Sequence, residues 1–280
     1  MDPIPLKFAR KTAKKTAKTT VKKPIFDLPP MSDVVFLYLF SSQGAEEGLV
    51  GFINAVNLSA GRPLIVKAEI KSPFHLADFY EDKMTVVDVK VTDEKGSFYD
   101  IEMQLMPGQG FTNCVLYYWS QIYSTQICES EHYTELRPVM SIVLTRFELF
   151  PQLSRMHNVF TLRSETEPYV LFTEHAEIHT LELTGRKLEP VFSGMTEVAE
   201  KDEPLRNWID YLLNANQKTE AEMDKLLTHT PGLERTHRLY SRFTRDELFR
   251  ERALAREKAI RDIEVSIHQG REQGREQGRE

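Results

Sequence analysis

The sequence of 280 residues contains little cysteine and no long apolar run. Cys114 and Cys128 are its only cysteines, too few for a four-thiolate zinc site or a disulfide framework, so a reducing cytosol is the expected compartment. No stretch approaches the roughly 18 apolar residues that a membrane helix needs, and the basic start of the chain lacks the pattern of a secretory signal. These absences predict a cytoplasmic protein that does not use a membrane as a partner.

Several catalytic signatures are also missing. The sequence has no G-x-G-x-x-G loop, no Walker lysine motif and no G-x-S-x-G elbow, so it lacks a glycine-rich phosphate loop and a serine-hydrolase nucleophile. His175 and His179 have the i, i+4 spacing of a helical zinc pair. The residues around them alternate partly as in a strand, and in a strand that spacing does not bring two imidazoles to one ion.

Charge is distributed unevenly along the chain. The net charge is −6, but residues 1–23 carry about +7 and the remainder about −13. The cations of this basic arm are Lys7, Arg10, Lys11, Lys14, Lys15, Lys18, Lys22 and Lys23. Such an arm attracts polyanions, of which nucleic acid is the commonest in a cytosol, so binding of DNA is one interpretation. A solvated tail that only aids solubility is the other.

Hydrophobic periodicity predicts helices before and after a group of strands. A helix is expected after Pro30, with Ser32 or Asp33 as its N-cap, and a second over 46–57. Strands are predicted over 64–70, 84–92, 97–105, 139–145, 159–163 and 178–183, and further helices over 112–127 and 205–213. Thr244 to Glu247 form a capping-box sequence that is expected to begin a last, highly charged helix.

The strands over 84–92 and 97–105 are joined by a short turn that ends in Gly96. Three-residue hairpin loops commonly place a left-handed glycine last. If the loop is 94–96, the residue numbers of each cross-strand pair add up to 190. Val89 then faces Ile101 on an apolar face.

The opposite face of this hairpin collects charged side chains. In the same register Asp88 lies opposite Glu102, and Lys90 lies opposite Asp100. Cβ atoms of directly opposite residues are roughly 5 Å apart, so the first pair repels unless something compensates. Hard oxygen ligands suit Mg²⁺ or Mn²⁺, which makes a shared divalent cation one interpretation. A solvent-exposed face on which Lys90 offsets the acids is the other.

At this hairpin the sequence resembles the PD-(D/E)XK nuclease family transposases, which are recombination-promoting nucleases. The matching motif is Lys83-x4-Asp88, then Gly96, then Ile101-Glu102-Met103-Gln104, with E-x-Q in place of the commoner E-x-K. Segments 32–40, 52–56, 116–123, 133–139 and 173–183 also match in the family's order. The resemblance covers residues 28–185.

The resemblance implies an α/β fold, a mixed central sheet flanked by helices as in restriction endonucleases. It also implies Mg²⁺- or Mn²⁺-dependent cleavage of DNA, in recombination or transposition. Asp88 and Glu102 would bind the metal, together with the carbonyl group of Met103. DNA is the expected partner, and a homo-oligomer stays open.

Further roles at the site follow from the same resemblance. Gln104 would orient the attacking water or a phosphate oxygen, although it cannot supply the positive charge of a lysine. Lys83 or Lys90 would supply that charge if either reaches the site. Asp33 of the first helix would be an additional acid.

The domain organisation expected from these segments has four parts. They are a basic disordered arm over 1–27, the nuclease-like domain over 28–185, a linker with amphipathic helices over 186–243, and a charged helix with a Gly-Arg-Glu-Gln repeat tail over 244–280.

Three positions depart from the family pattern. Leu37 and Cys114 stand where the family usually carries cations, and Ser130 stands where it carries glycine. Two missing cations weaken the expected contacts with phosphate. The alternative function is therefore a catalytically decayed nuclease fold that binds DNA or a protein partner.

Overall fold

The computed structural model describes residues 28–74, 87–184 and 201–277; the basic arm and Lys83 lie outside these ranges. One six-stranded sheet has the order β1-β2-β3-β4-β6-β5, with β3, β4 and β6 parallel and the other pairs antiparallel. The strands are β1 (Ala68–Ile70), β2 (Val87–Asp93), β3 (Phe98–Gln104), β4 (Val139–Thr145), β5 (His157–Thr161) and β6 (Ala176–Glu182). The mixed sheet expected from the sequence is confirmed.

Seven α-helices accompany the sheet within the described residues. They are α1 (Asp33–Ser41), α2 (Glu46–Ser59), α3 (Phe111–Ser124), α4 (Glu203–Asn214), α5 (Glu220–His229), α6 (Leu233–Arg245) and α7 (Glu247–Gln277). Short 3-10 helices cover Tyr133–Glu135 and Ala215–Gln217. None of the described helices is long and apolar enough to cross a membrane.

The β2–β3 hairpin has the register predicted from its turn. Val89 pairs with Ile101, Asp88 with Glu102 and Lys90 with Asp100. Gly96 has a φ of 83°, the left-handed conformation that glycine adopts without steric cost. The turn therefore determines which side chains share a face of the sheet.

The two faces of the sheet are covered by different helices. The apolar face, which carries Val89 and Ile101, packs against α1 and α2 in one large core. The acidic face carries Asp88, Asp100 and Glu102. It is covered by α3, whose Val115 packs on Val143 of β4.

The helices after the sheet extend the same core. Trp208 of α4 is fully buried, and its ring centroid lies 5.9 Å from that of Phe40 and 5.6 Å from that of Phe52. Phe243 of α6 lies 5.1 Å from Tyr38 by the same measure. Through these contacts α4 and α6 pack against α1 and α2, which in turn pack against the sheet. The sheet and the C-terminal helices therefore share one hydrophobic core.

Two local predictions were wrong. Thr244 does not cap the last helix, because it lies inside α6 and its hydroxyl donates to the carbonyl of Ser241 at 3.2 Å. Asp246 accepts from the backbone N–H of Phe249 instead, at 3.2 Å. The strand predicted over 64–70 is shorter, since only Ala68–Ile70 pairs with β2.

Ser130 is the only non-glycine residue with a positive φ, 83°, in the described part of the chain. It lies in a turn closed by the N–H of Glu131 donating to the carbonyl of Cys128 at 3.2 Å. A side chain in this conformation costs about 1 kcal/mol or more. The glycine usual here in the family avoids that cost.

We expect Ser130→Gly to stabilise the protein by about 0.5–1 kcal/mol, because it relieves more strain than it adds chain entropy to the unfolded state. Urea unfolding followed by circular dichroism measures the change. Ser154→Gly, at an exposed loop position without positive φ, is the control and is expected to destabilise. Equal effects of both variants would show that Ser130 is not strained.

Candidate metal centre

The β2–β3 hairpin supplies all the carboxyl groups of the candidate site. Asp88 and Glu102 are direct cross-strand partners, and Asp100 precedes Glu102 by two residues on the same face. Ser141 of β4 is the neighbour of Asp100 on the other side of β3. Strand alternation and one turn thus bring three carboxyl groups and one hydroxyl together.

The acids of the two strands differ in solvent exposure. Asp100 and Glu102 are fully buried, whereas the side chain of Asp88 is 38 % exposed. All four carboxylate oxygens of Asp100 and Glu102, and the hydroxyl of Ser141, lack a separate hydrogen-bond partner. The two acids hydrogen-bond to each other, which requires that one of them keeps its proton. Buried groups without a separate partner are rare in folded proteins and cost about 1–3 kcal/mol each. The solvent-exposed acidic face considered above is therefore wrong for β3.

The acids perturb one another because they are buried together. Burial, with the neighbouring Asp100 and Asp88 charges, raises the pKa of Glu102 to about 8. Burial and the Asp88 charge raise the pKa of Asp100 to about 6. The charge of Lys90 lowers both pKa values but does not outweigh burial and the neighbouring acids. A bound cation would lower them further.

Lys90 is the nearest cation on this face. Its Nζ lies 3.2 Å from Oδ2 of Asp88. Burial disfavours its ammonium, but the charges of Asp88 and Asp100 outweigh burial and raise the pKa of Lys90. Lys90 therefore holds Asp88 in place and leaves the oxygens of Glu102 without a separate donor.

Gln104 and Met103 follow Glu102 along β3. Gln104 lies on the acidic face, where its Nε2 donates to the carbonyl of Met106 at 3.0 Å. The side chain of Met103 is buried in the core of the apolar face, so only its main-chain carbonyl is suited to a metal.

Asp33 has a structural partner. Its Oδ2 accepts from Nε of Arg256 at 2.7 Å, and Oδ1 accepts from the N–H of Val34 at 2.8 Å. The hydroxyl of Ser32 donates to Glu257 at 2.5 Å. The predicted extra acid thus joins α7 to the start of α1.

Two side chains of α3 border the acids. Burial, and then the charge of Glu102, raise the pKa of Cys114. Burial, and then the charges of Cys114 and Glu102, raise the pKa of Tyr118. The position at which the family usually has a cation therefore carries a neutral thiol within electrostatic reach of Glu102. Leu37, the other missing cation, packs against the hydrophobic core.

The donor set fits a hard divalent cation. In the described residues, no three His, Cys, Asp or Glu side chains form a group that could hold a metal ion by themselves. Mg²⁺ does not require one, because it is usually bound by one or two carboxylates together with water and substrate phosphates. Asp88, Glu102 and the Met103 carbonyl are ligands of this kind. A bound cation would also compensate the buried carboxylate of Glu102, which has no separate donor.

A second polar network, which the sequence did not indicate, lies on the apolar face. Ser59 lies 3.0 Å from Nδ1 of His157, whose Nε2 lies 2.8 Å from Nδ1 of His179. Nε2 of His179 lies 2.6 Å from Glu177, which also accepts from the guanidinium of Arg62. With both imidazoles neutral, every donor in the chain from Ser59 to Glu177 has one acceptor.

This network predicts a stability loss at mildly acidic pH. Burial, and then His179, lower the pKa of His157 well below 6.5, so the unfolded chain binds a proton there before the folded one does. The contribution of His157 to the free energy of unfolding is fully present above about pH 6.5. Below that pH it falls by at most about 1.4 kcal/mol per pH unit. His157→Gln is expected to flatten the fall in melting temperature between about pH 6.5 and 5. His132→Gln, at an exposed position outside this network, is the control and is expected to leave the slope unchanged. An unchanged slope in His157→Gln would mean that His157 is protonated in the fold.

Comparison with known proteins agrees with this geometry. A family model described as PD-(D/E)XK nuclease family transposase matches residues 30–270. The match includes the sheet, the acid pair and most of the C-terminal helices, and so extends beyond the 28–185 over which the motifs were identified. No curated protein and no solved structure matches the chain. Since the family model covers well over half of its length, the chain belongs to the PD-(D/E)XK nuclease family transposases.

Proposed function

We propose that this protein is a Mg²⁺- or Mn²⁺-dependent DNA endonuclease that acts in recombination or transposition. The observation that carries the proposal is the buried carboxyl group of Glu102, which has no separate donor and lies directly across the hairpin from Asp88. A protein of this fold gains no stability from such a group. A metal ligand is the role that explains it.

Each residue of the site then has a distinct task. A bound ion would polarise a phosphate oxygen and lower the pKa of a bound water. Asp88 and Glu102 would hold the ion, and Glu102 would give up its proton as it does so. Lys90, whose side chain is 38 % exposed, fixes Asp88 and is accessible to a phosphate. Gln104 offers a dipole to the attacking water once its amide leaves the Met106 carbonyl.

A decayed nuclease fold that binds DNA or a protein is the second candidate. It is favoured by the neutral Cys114 beside Glu102 and by the ion pair that occupies Asp33. Both observations reduce the positive charge or the acid available at the site.

Plasmid nicking with and without Mg²⁺ separates the two candidates. The wild type is expected to nick only with the ion, and Asp88→Ala is expected to lose at least about 100-fold in rate, as when one group that stabilises transition-state charge is removed. Asp224→Ala, at an exposed position of α5, is the matched control and is expected to nick normally. Folded wild-type protein that does not nick, or nicking that survives Asp88→Ala, would favour the second candidate.

A further inference from the structure

A cavity of about 450 Å³ lies away from the acid pair. It opens where β3, β4 and β6 begin, on the face opposite to Glu102, and Tyr99 and Glu177 form part of its wall. Its volume is in the range of small-molecule sites, about 300–1,000 Å³.

The inner wall presents an unused acceptor. Asn57 is buried, and its Nδ2 donates to the carbonyl of Pro63 at 3.1 Å. Its Oδ1 is buried and makes no hydrogen bond of normal length. The Tyr99 hydroxyl lies beside both Asn57 and Asp93, and its distance from Oδ2 of Asp93 is 3.5 Å. Because one hydroxyl cannot donate to both oxygens, this wall can accept a second donor, such as an amino group.

A second wall is rigid and electrically neutral. Arg62 donates to both carboxylate oxygens of Glu177, and the histidine chain behind Glu177 fixes its position. Hydrogen bonds from His179 and Arg62 outweigh burial and lower the pKa of Glu177 to about 2. Because the pair stays ionised and matched, it shapes the cavity without favouring either sign of charge.

The rim carries two exposed cations. Lys95 and Arg163 line the cavity, and neither forms an ion pair within the described residues. Arg163 donates only to neutral oxygens, among them the hydroxyl of Thr161 at 2.8 Å. Apolar side chains such as Met140 and Leu171 also line the cavity.

We propose that this cavity binds a small organic anion that carries an amino group. The amino group would donate to Oδ1 of Asn57, the anionic group would face Lys95 and Arg163, and the apolar middle would contact Met140. An amino acid with its amino and carboxylate groups at opposite ends of the chain and a nucleoside monophosphate with an exocyclic amino group both have this arrangement. The proposal is independent of the metal centre, since the two sites lie on different faces of the sheet.

Ligand-observed NMR titration of the full chain tests the proposal with 6-aminohexanoate and adenosine monophosphate as probes. At least one is expected to bind below about 10 mM. The partner compounds hexanoate, which lacks the amino group, and adenosine, which lacks the phosphate, are expected to bind at least tenfold more weakly. The probe that binds identifies the source of the ligand.

Two variants connect binding to the cavity. Lys95→Gln combined with Arg163→Gln is expected to weaken binding at least tenfold without changing the fold, since both side chains are exposed. Lys67→Gln, an exposed lysine outside this cavity, is the control and is expected to bind as the wild type does. Failure of both probes to bind, or equal binding by the double variant, would overturn the proposal.

Discussion

Glu102→Gln is expected to stabilise the metal-free protein and to abolish the proposed cleavage of DNA. The carboxyl group of Glu102 is buried without a separate donor and hydrogen-bonds to Asp100 only while one of the two acids keeps a proton. An amide at this position donates to Asp100 at every pH. Relief of one unpartnered group is worth about 1–3 kcal/mol. That corresponds to a rise in melting temperature of roughly 3–10 °C. Nicking should fall at least about 100-fold with the lost charge stabilisation.

The stability gain should grow with pH. Burial, with the charges of Asp100 and Asp88, raises the pKa of Glu102 from 4.5 to about 8, so the unfolded chain releases this proton first as pH rises. The contribution of Glu102 to the free energy of unfolding of the wild type is therefore fully present below about pH 4.5. It is lost as the pH rises to about 8. Calorimetry in EDTA at several pH values measures the difference. Glu135→Gln, at an exposed position, is the control. A destabilised Glu102→Gln variant would mean that an unseen donor already satisfies this carboxylate.

Trp208→Ala is expected to destabilise the protein by about 3–5 kcal/mol, the range for large aromatic side chains in a core. Trp208 is fully buried and contacts Phe40 and Phe52, which lie on the helices behind the sheet. The indole therefore links α4 to the same core as the nuclease hairpin. Chemical unfolding followed by Trp119 fluorescence should show one transition at lower denaturant concentration.

The control for this variant is Leu248→Ala, because Leu248 is an exposed apolar residue of α7. It should cost less than about 0.5 kcal/mol. An earlier transition seen by circular dichroism in Trp208→Ala, with no shift in the Trp119 fluorescence transition, would show that the C-terminal helices are an independent unit. A single transition would mean that residues after the sheet are required for it to fold.

Local sequence patterns were sufficient for the hairpin and its acids. Gly96 and the alternation of β2 and β3 determined the register, because a turn and a two-residue period are both short-range properties. The same pattern placed Asp88 opposite Glu102. The capping-box sequence at Thr244 gave a wrong prediction, since α6 continues through Thr244. The N-cap of the last helix is Asp246 instead.

The burial of the site could not be predicted in this way. Asp100 and Glu102 are buried because α3 packs on the acidic face, a contact between segments that a periodicity does not connect. The pairing of Asp33 with Arg256 spans 223 residues, and the chain from Ser59 to Glu177 joins α2 to two distant strands. Long-range packing decides each of these features.

Binding of Mn²⁺ measured by electron paramagnetic resonance tests the central claim most directly, because it does not depend on activity. The wild type is expected to bind one Mn²⁺ per chain below about 1 mM. Asp88→Asn and Glu102→Gln are each expected to lose that binding, and Asp224→Asn to keep it. Equal Mn²⁺ binding by all four proteins, or none by the wild type at that concentration, would contradict a metal centre at Asp88 and Glu102.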